Sequence, residues 1–194
     1  LDYVLNYGAT IIAARNELRS AWERESRRLT TRSRTTKYRV LTKLTEEITD
    51  RVRAPWLSES WRGQNGIFRE LQQLRRACII VTLAYSGIRS SELLSLEARC
   101  CVNEDAGGGR VRHYVNTTVR KHRGVGSKDT WVVIEEVVQA IKLLEDLTDE
   151  ARRASFSDKL FLSTSGRFTI VGESRHRVRS EVLTYEGVLA QIKA

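Results

Sequence analysis

The chain contains no methionine and a single proline, Pro55, in 194 residues. With Leu1 first and no initiator anywhere, it is read as an excised fragment. Cysteine is nearly as scarce: Cys78, Cys100 and Cys101 form no Cys-x-x-Cys pair. An odd count with two of them adjacent argues against a disulfide framework and for a reducing, cytoplasmic compartment. Cys78 lies in an apolar run and is expected in the core. The three histidines, His113, His122 and His176, stand at no metal-ligand spacing with the cysteines or each other, so no metal is expected. The carboxylates lack the paired motif of a two-metal nuclease, and no Ser/His/Asp signature is present. Gly107-Gly108-Gly109 is not followed by Lys-Ser/Thr, which makes it a turn and not a phosphate loop. No cofactor is called for. No run is long enough to span a membrane, and there is no signal peptide.

What is present is charge. The formal net charge is +9, with hydrophobic residues at 41% and charged residues at 29%. Such a chain folds and seeks a polyanionic partner, nucleic acid before membrane. Arg24, Arg27, Arg28, Arg32 and Arg34 fall in one tract that runs to Lys43. Two readings of it stand side by side. One is a phosphate-tracking face, with Ser/Thr hydroxyls interleaved. The other is a solvated helix surface tempered by Glu17, Glu23 and Glu25.

The periodicity predicts a mostly helical α/β (α+β) chain with a small three-stranded antiparallel sheet. Helices are expected over 1–29, with Ile11, Leu18 and Trp22 inward, and from Lys37, with Leu41, Leu44, Ile48 and Val52 inward. Pro55 ends that region, and 58–65 reads as a loop. From Ile67 the period runs through Phe68, Leu71, Leu74, Cys78, Val81 and Tyr85, and residues 79–85 are apolar nearly all round, as in a central core helix. Strands are expected over 110–115, across the β-branched stretch 117–122, and over 129–134. A helix over 135–147 buries Val137, Ile141, Leu144 and Leu147. Leu160 to Leu162 is a short apolar strand, 166–179 a polar loop, and the chain turns helical again from Thr184. It stops at Ala194 in mid-pattern, which reads as a truncation.

The stretch Ala84 to Leu96 organises the rest. A buried helix arrives, Gly87 breaks it in a left-handed conformation, and a second helix begins near Ser90 and stops near Arg99. Arg89 is then held at a helix mouth, where it makes a site for an anion, most naturally a phosphate. Glu92, one turn on, can orient the guanidinium.

Gly87, Arg89, Glu92 and Leu93, with Leu94 and Leu96 behind, resemble the first active-site arginine box of the tyrosine recombinase (phage integrase) family. The likeness extends more loosely from about Gly66 to Gly166. It implies a division into an N-terminal basic helical segment, 1–57, and a partial integrase-type catalytic domain, 58–194. In that family a lysine near the turn between the second and third strands reaches the scissile position. Here Lys121 is the first choice and Lys128 the alternative. Lys121 sits between Arg120 and Arg123, which also suit DNA contact, and like charge should lower its pKa. The family further needs His-x-x-Arg and a tyrosine nucleophile. His176 to Arg179 and Tyr185 have the letters, but Tyr185 follows too closely, so the true elements are expected past Ala194. The resemblance implies a full-length, cytoplasmic, nucleoid-associated enzyme of DNA integration and recombination. It would act as a homo-tetramer on double-stranded DNA through a 3′-phosphotyrosine, without metal or nucleotide. The fragment alone should bind DNA weakly and cut nothing. The alternatives are a non-catalytic nucleic-acid-binding helical module and a helical interaction domain whose charge is incidental.

Overall fold

A computed structural model of the chain describes residues 1–52, 66–119 and 127–162. The architecture is mostly helical with one three-stranded antiparallel sheet. A π-helical turn, Tyr3–Tyr7, leads into α1, Gly8–Arg28. Ile11, Ile12, Ala14, Leu18 and Trp22 are buried along one face of α1, the helical spacing of a core-facing stripe. Gly8 sits where α1 meets a neighbouring helix: a Cβ there would come within 2.5 Å of Leu143 Cδ1.

Helix α2, Arg34–Val52, returns along α1 after a short connection. Arg51 reaches back to Glu17 at 2.5 Å. Ile48 is buried and Leu41 and Leu44 are half-buried, as their period predicts. Helix α3, Gly66–Ser86, is central. Leu71, Leu74, Cys78 and Val81 are buried as expected, and Leu83 is half-buried. Ile80 and Tyr85 depart from expectation, at 47% and 50% exposed. Among the described residues α3 is covered mainly on the side that meets α1 and α5, so an apolar run is not buried all round.

Helix α4 is a single turn, Ser90–Leu93, and α5 is Glu135–Ser155. Val137, Ile141, Leu144 and Leu147 are buried. Helix α5 continues eight residues past the expected stop at Leu147, because Thr148 and Ala151 extend the buried face. Glu135 and Glu136 open it and Arg152 and Arg153 close it, matching the helix dipole. Buried Arg15 donates to the Asp146 carbonyl at 2.8 Å, and Arg19 pairs with Glu150 at 2.8 Å, so α1 is pinned to α5.

The sheet is β1 Cys101–Asp105, β2 Val111–Val119 and β3 Ser127–Val133, in that order. The register sets Cys101 opposite Val115 and Val115 opposite Trp131. This corrects the strand reading. The segments expected at 110–115 and from 117 belong to one strand, and the true first strand precedes the glycine turn. Cys101-Val-Asn-Glu-Asp carries too little apolar alternation to be read as a strand. It is held by pairing with β2, not by burial. Gly107, Gly108 and Gly109 all take positive φ and make the expected turn.

Leu160, Phe161 and Leu162 are fully buried. Their segment is tied to the chain after α4 by Ala98 N–H to Asp158 O at 2.8 Å and Leu160 N–H to Leu96 O at 3.0 Å. Arg75 of α3 is buried there too and donates to Leu162 O at 2.9 Å. Among the described residues this is its one hydrogen bond, its Nε is unpaired, and burial lowers its pKa to about 10. Residues on both sides of the expected division near residue 57 share one core. That boundary, Pro55, the 58–65 loop, the 166–179 loop, His176, Tyr185 and the helical pattern from Thr184 lie outside the described residues. No described helix is long and apolar enough to cross a membrane.

Candidate phosphate-binding corner

Ser86 ends α3 by donating to Thr82 O at 2.5 Å and accepting the Ile88 N–H at 3.1 Å. Gly87 turns the chain at φ +69°, a conformation that costs any other residue a steric penalty. Buried Ile88 anchors the turn. Arg89 follows in extended conformation as the N-cap of α4.

Glu92 holds Arg89 at both ends. Its Oε2 accepts the Arg89 backbone N–H at 3.0 Å, and its Oε1 lies 3.6 Å from Arg89 Nη1. The Glu92 and Leu93 N–H groups in turn donate to Arg89 O at 2.9 and 2.8 Å. This is the glutamate half of a capping box. The Glu92 side chain is 2% exposed and that of Arg89 70% exposed. A buried carboxylate thus backs an outward guanidinium whose remaining donors face solvent, the arrangement that suits two-pronged contact with a phosphate. Leu93 and Leu96 are fully buried beneath it.

Helix α4 is shorter than the expected run to Arg99. Ser95 caps it by donating to Glu92 O at 2.6 Å, and Leu96 and Ala98 are drawn into hydrogen bonds with 158–160. A one-turn helix has little dipole, so the charge here is that of Arg89 itself.

The Ser95 hydroxyl also accepts the Thr118 N–H at 3.0 Å. This ties the end of β2 to the turn carrying Arg89 and Glu92. Lys128 lies opposite Thr118 across the β2–β3 pair and is exposed. Lys121, Arg120 and Arg123 follow β2 in the chain and lie outside the described residues. Sequence reasoning missed Lys159, whose Nζ donates to Ser95 O at 3.1 Å and Glu97 Oε1 at 2.8 Å. No motif marks it. Only the pairing of 158–160 with the chain after α4 brings it here.

The basic tract forms the far end of the α1–α2 hairpin. Residues 24–43 hold eight lysines and arginines against one carboxylate, Glu25, a net +7 of the chain's +9. None of their described side chains is buried. Arg24, Arg27, Arg28 and Arg32 are exposed, Arg28 pairing with Glu25 at 3.2 Å. Arg34 begins α2, and its side chain lies outside the described set. Among the described residues no group of three or more His, Cys, Asp or Glu side chains could hold a metal ion.

Comparison with known proteins finds no matching family model, no matching curated protein and no matching solved structure.

Proposed function

We propose that this chain is a DNA-binding part of a site-specific tyrosine recombinase, an integrase that breaks and rejoins double-stranded DNA. The observation that carries the reading is the Arg89–Glu92 corner, an exposed guanidinium backed by a buried carboxylate and tied through Ser95 to the strand leading to Lys121. In the reaction a tyrosine oxygen forms a bond to the phosphorus of a DNA phosphodiester, and the bond to the 5′ oxygen breaks. Arg89 stabilises the charge that builds on the non-bridging oxygens, the dominant kind of contribution in such displacements. Lys121 supplies the proton to the leaving 5′ oxygen, with Lys128 the alternative donor. Glu92 is a positioning residue that aims Arg89. The tyrosine and the His-x-x-Arg element belong to the full-length enzyme, which works as a tetramer on DNA and needs no metal.

The experiment is incubation of full-length protein with a nicked duplex that traps the covalent intermediate. A protein–DNA adduct stable to denaturant, lost on Arg89→Ala, supports the reading. Duplex binding without any adduct overturns it in favour of a second reading, a non-catalytic nucleic-acid-binding module. That second reading is favoured by the charge concentrated on the hairpin end.

A further inference from the structure

We propose that Phe156 is a base-stacking contact for an unpaired nucleotide of DNA held on the basic end of the α1–α2 hairpin. It rests on the DNA-binding part of the proposed function, not on its cleavage chemistry. Phe156 is 98% exposed, more than any other large apolar side chain among the described residues. It caps the end of α5 in the left-handed region, at φ +51° and ψ +42°. Helices commonly close there with glycine or asparagine, and a Cβ is strained in that conformation. A ring so exposed gains nothing from the core in return. A lone exposed apolar residue is ordinary. A ring held out in solvent by strained backbone is the pattern of a residue kept for a partner.

The surroundings select the partner. Helix α5 runs parallel to α1 and in step with it. Arg15 meets the Asp146 carbonyl, and four residues on in each helix Arg19 meets Glu150. Equal helical rise carries that step six residues further, which sets Phe156 level with Glu25 on α1. Packed helix axes lie roughly 8–10 Å apart. The ring therefore borders the start of the 24–43 tract, with its eight lysines and arginines against Glu25. Arg152 and Arg153, beside the ring in sequence, are engaged within α5. Arg152 donates to Glu145 O at 3.0 Å, and Arg153 pairs with Asp149. The cations available to a phosphate chain are those of the hairpin, where Arg24, Arg27 and Arg32 are exposed. Tyr38, flanked by Lys37 and Arg39, is a second exposed ring in the same tract.

Cations that track a backbone, bordered by an outward ring, are the two parts of a single-strand site. Charge holds the phosphates, and the ring stacks on the face of a base. A continuous duplex keeps its bases stacked on one another and offers the ring no face. An interruption in one strand exposes bases while the flanking duplex still presents phosphates to the tract.

The test is the affinity of the whole chain for a continuous duplex and for the same duplex with a short single-stranded gap, at several salt concentrations. Phe156→Ala should weaken gapped-duplex binding on the order of ten- to a hundredfold and continuous-duplex binding little. Its salt slope should match wild type, since a ring neutralises no phosphate. Phe156→Trp keeps a stacking face and should bind the gapped duplex as wild type does. Phe156→Gly removes the strain along with the ring. It should melt no lower than wild type, yet bind the gapped duplex as weakly as Phe156→Ala. Equal gapped-duplex affinity in wild type and Phe156→Ala overturns the proposal and leaves the DNA-binding reading standing. No binding of wild type to either DNA overturns both. Melting of Phe156→Gly well below wild type gives the ring a packing role, which also overturns it. So does a self-association lost in Phe156→Ala with DNA affinity unchanged, which assigns the ring to a second copy of the chain.

Discussion

Thr118 donates its backbone N–H to the Ser95 hydroxyl at 3.0 Å, and the same hydroxyl donates to Glu92 O at 2.6 Å. One serine thereby joins the last turn of the Arg89 corner to the strand end that precedes Lys121. The site's geometry depends on backbone that is held, not merely on side chains that are present.

Gly87 offers the simplest check on that backbone. Its φ is +69°, and a Cβ added there would meet no atom within 4 Å, so Gly87→Ala adds no clash beyond the backbone itself. The left-handed conformation should still cost about 1 to 2 kcal/mol. Urea unfolding of the variant measures it, and an unchanged midpoint contradicts the turn.

Glu92→Ala removes the acceptor of the Arg89 N–H in a buried place. Leaving that donor unpaired should cost about 1 to 3 kcal/mol. Glu92→Gln keeps an acceptor oxygen and should lose less. Thermal melts of both should rank wild type above Gln above Ala. Equal melting of the two variants would mean that the carboxylate does not cap the turn.

Arg75 bears a different kind of cost. Its pKa falls to about 10 on burial, so the folded state releases its proton before the unfolded state does. The unfolded state then binds more protons between about 10 and the ordinary arginine range, and the Arg75 contribution becomes more favourable as pH rises through that window. At neutral pH the buried cation is a penalty, and Arg75→Met should stabilise by about 1 to 3 kcal/mol. Raising the pH through 10 and above should narrow the gap between the two proteins. A large loss of stability in Arg75→Met at neutral pH would show that the hydrogen bond to the Leu162 carbonyl outweighs the cost of burying the cation.

Replacing Arg24, Arg27, Arg28, Arg32 and Arg34 together by alanine should weaken duplex binding and flatten its salt dependence. For every phosphate left without its arginine, the slope of log affinity against log salt should become shallower by about 0.9. Titration at several salt concentrations measures this. Binding that matches wild type at every salt makes the tract a solvated face.

The helices were legible wherever an apolar face repeats. Leu71, Leu74, Cys78 and Val81 on α3 and Val137, Ile141 and Leu144 on α5 are buried as their spacing predicts. The turn at Gly87 and the Arg89–Glu92 pairing were legible because both depend on residues within one helical turn of each other. The first strand was not, since Cys101–Asp105 is specified by its partner β2 and has almost no burial pattern of its own. Lys159 near Ser95 and the bond from Arg75 to the Leu162 carbonyl were also out of reach. Each interaction spans more than sixty residues of sequence and obeys no local period.

Cleavage rates of full-length wild type, Arg89→Lys and Lys121→Ala on two substrates separate the phosphate clamp from the proton donor. One substrate is normal DNA, and the other carries sulfur in place of the 5′ leaving oxygen. Arg89→Lys keeps charge but loses the two-pronged geometry, and Lys121→Ala loses the proton donor. On normal DNA each should slow by on the order of a hundred- to a thousandfold. A thiolate leaves without an acid, so sulfur should restore most of the rate to Lys121→Ala and little to Arg89→Lys. Failure of both to recover moves the proton donor to Lys128. Wild-type rates for both variants on normal DNA contradict the recombinase reading.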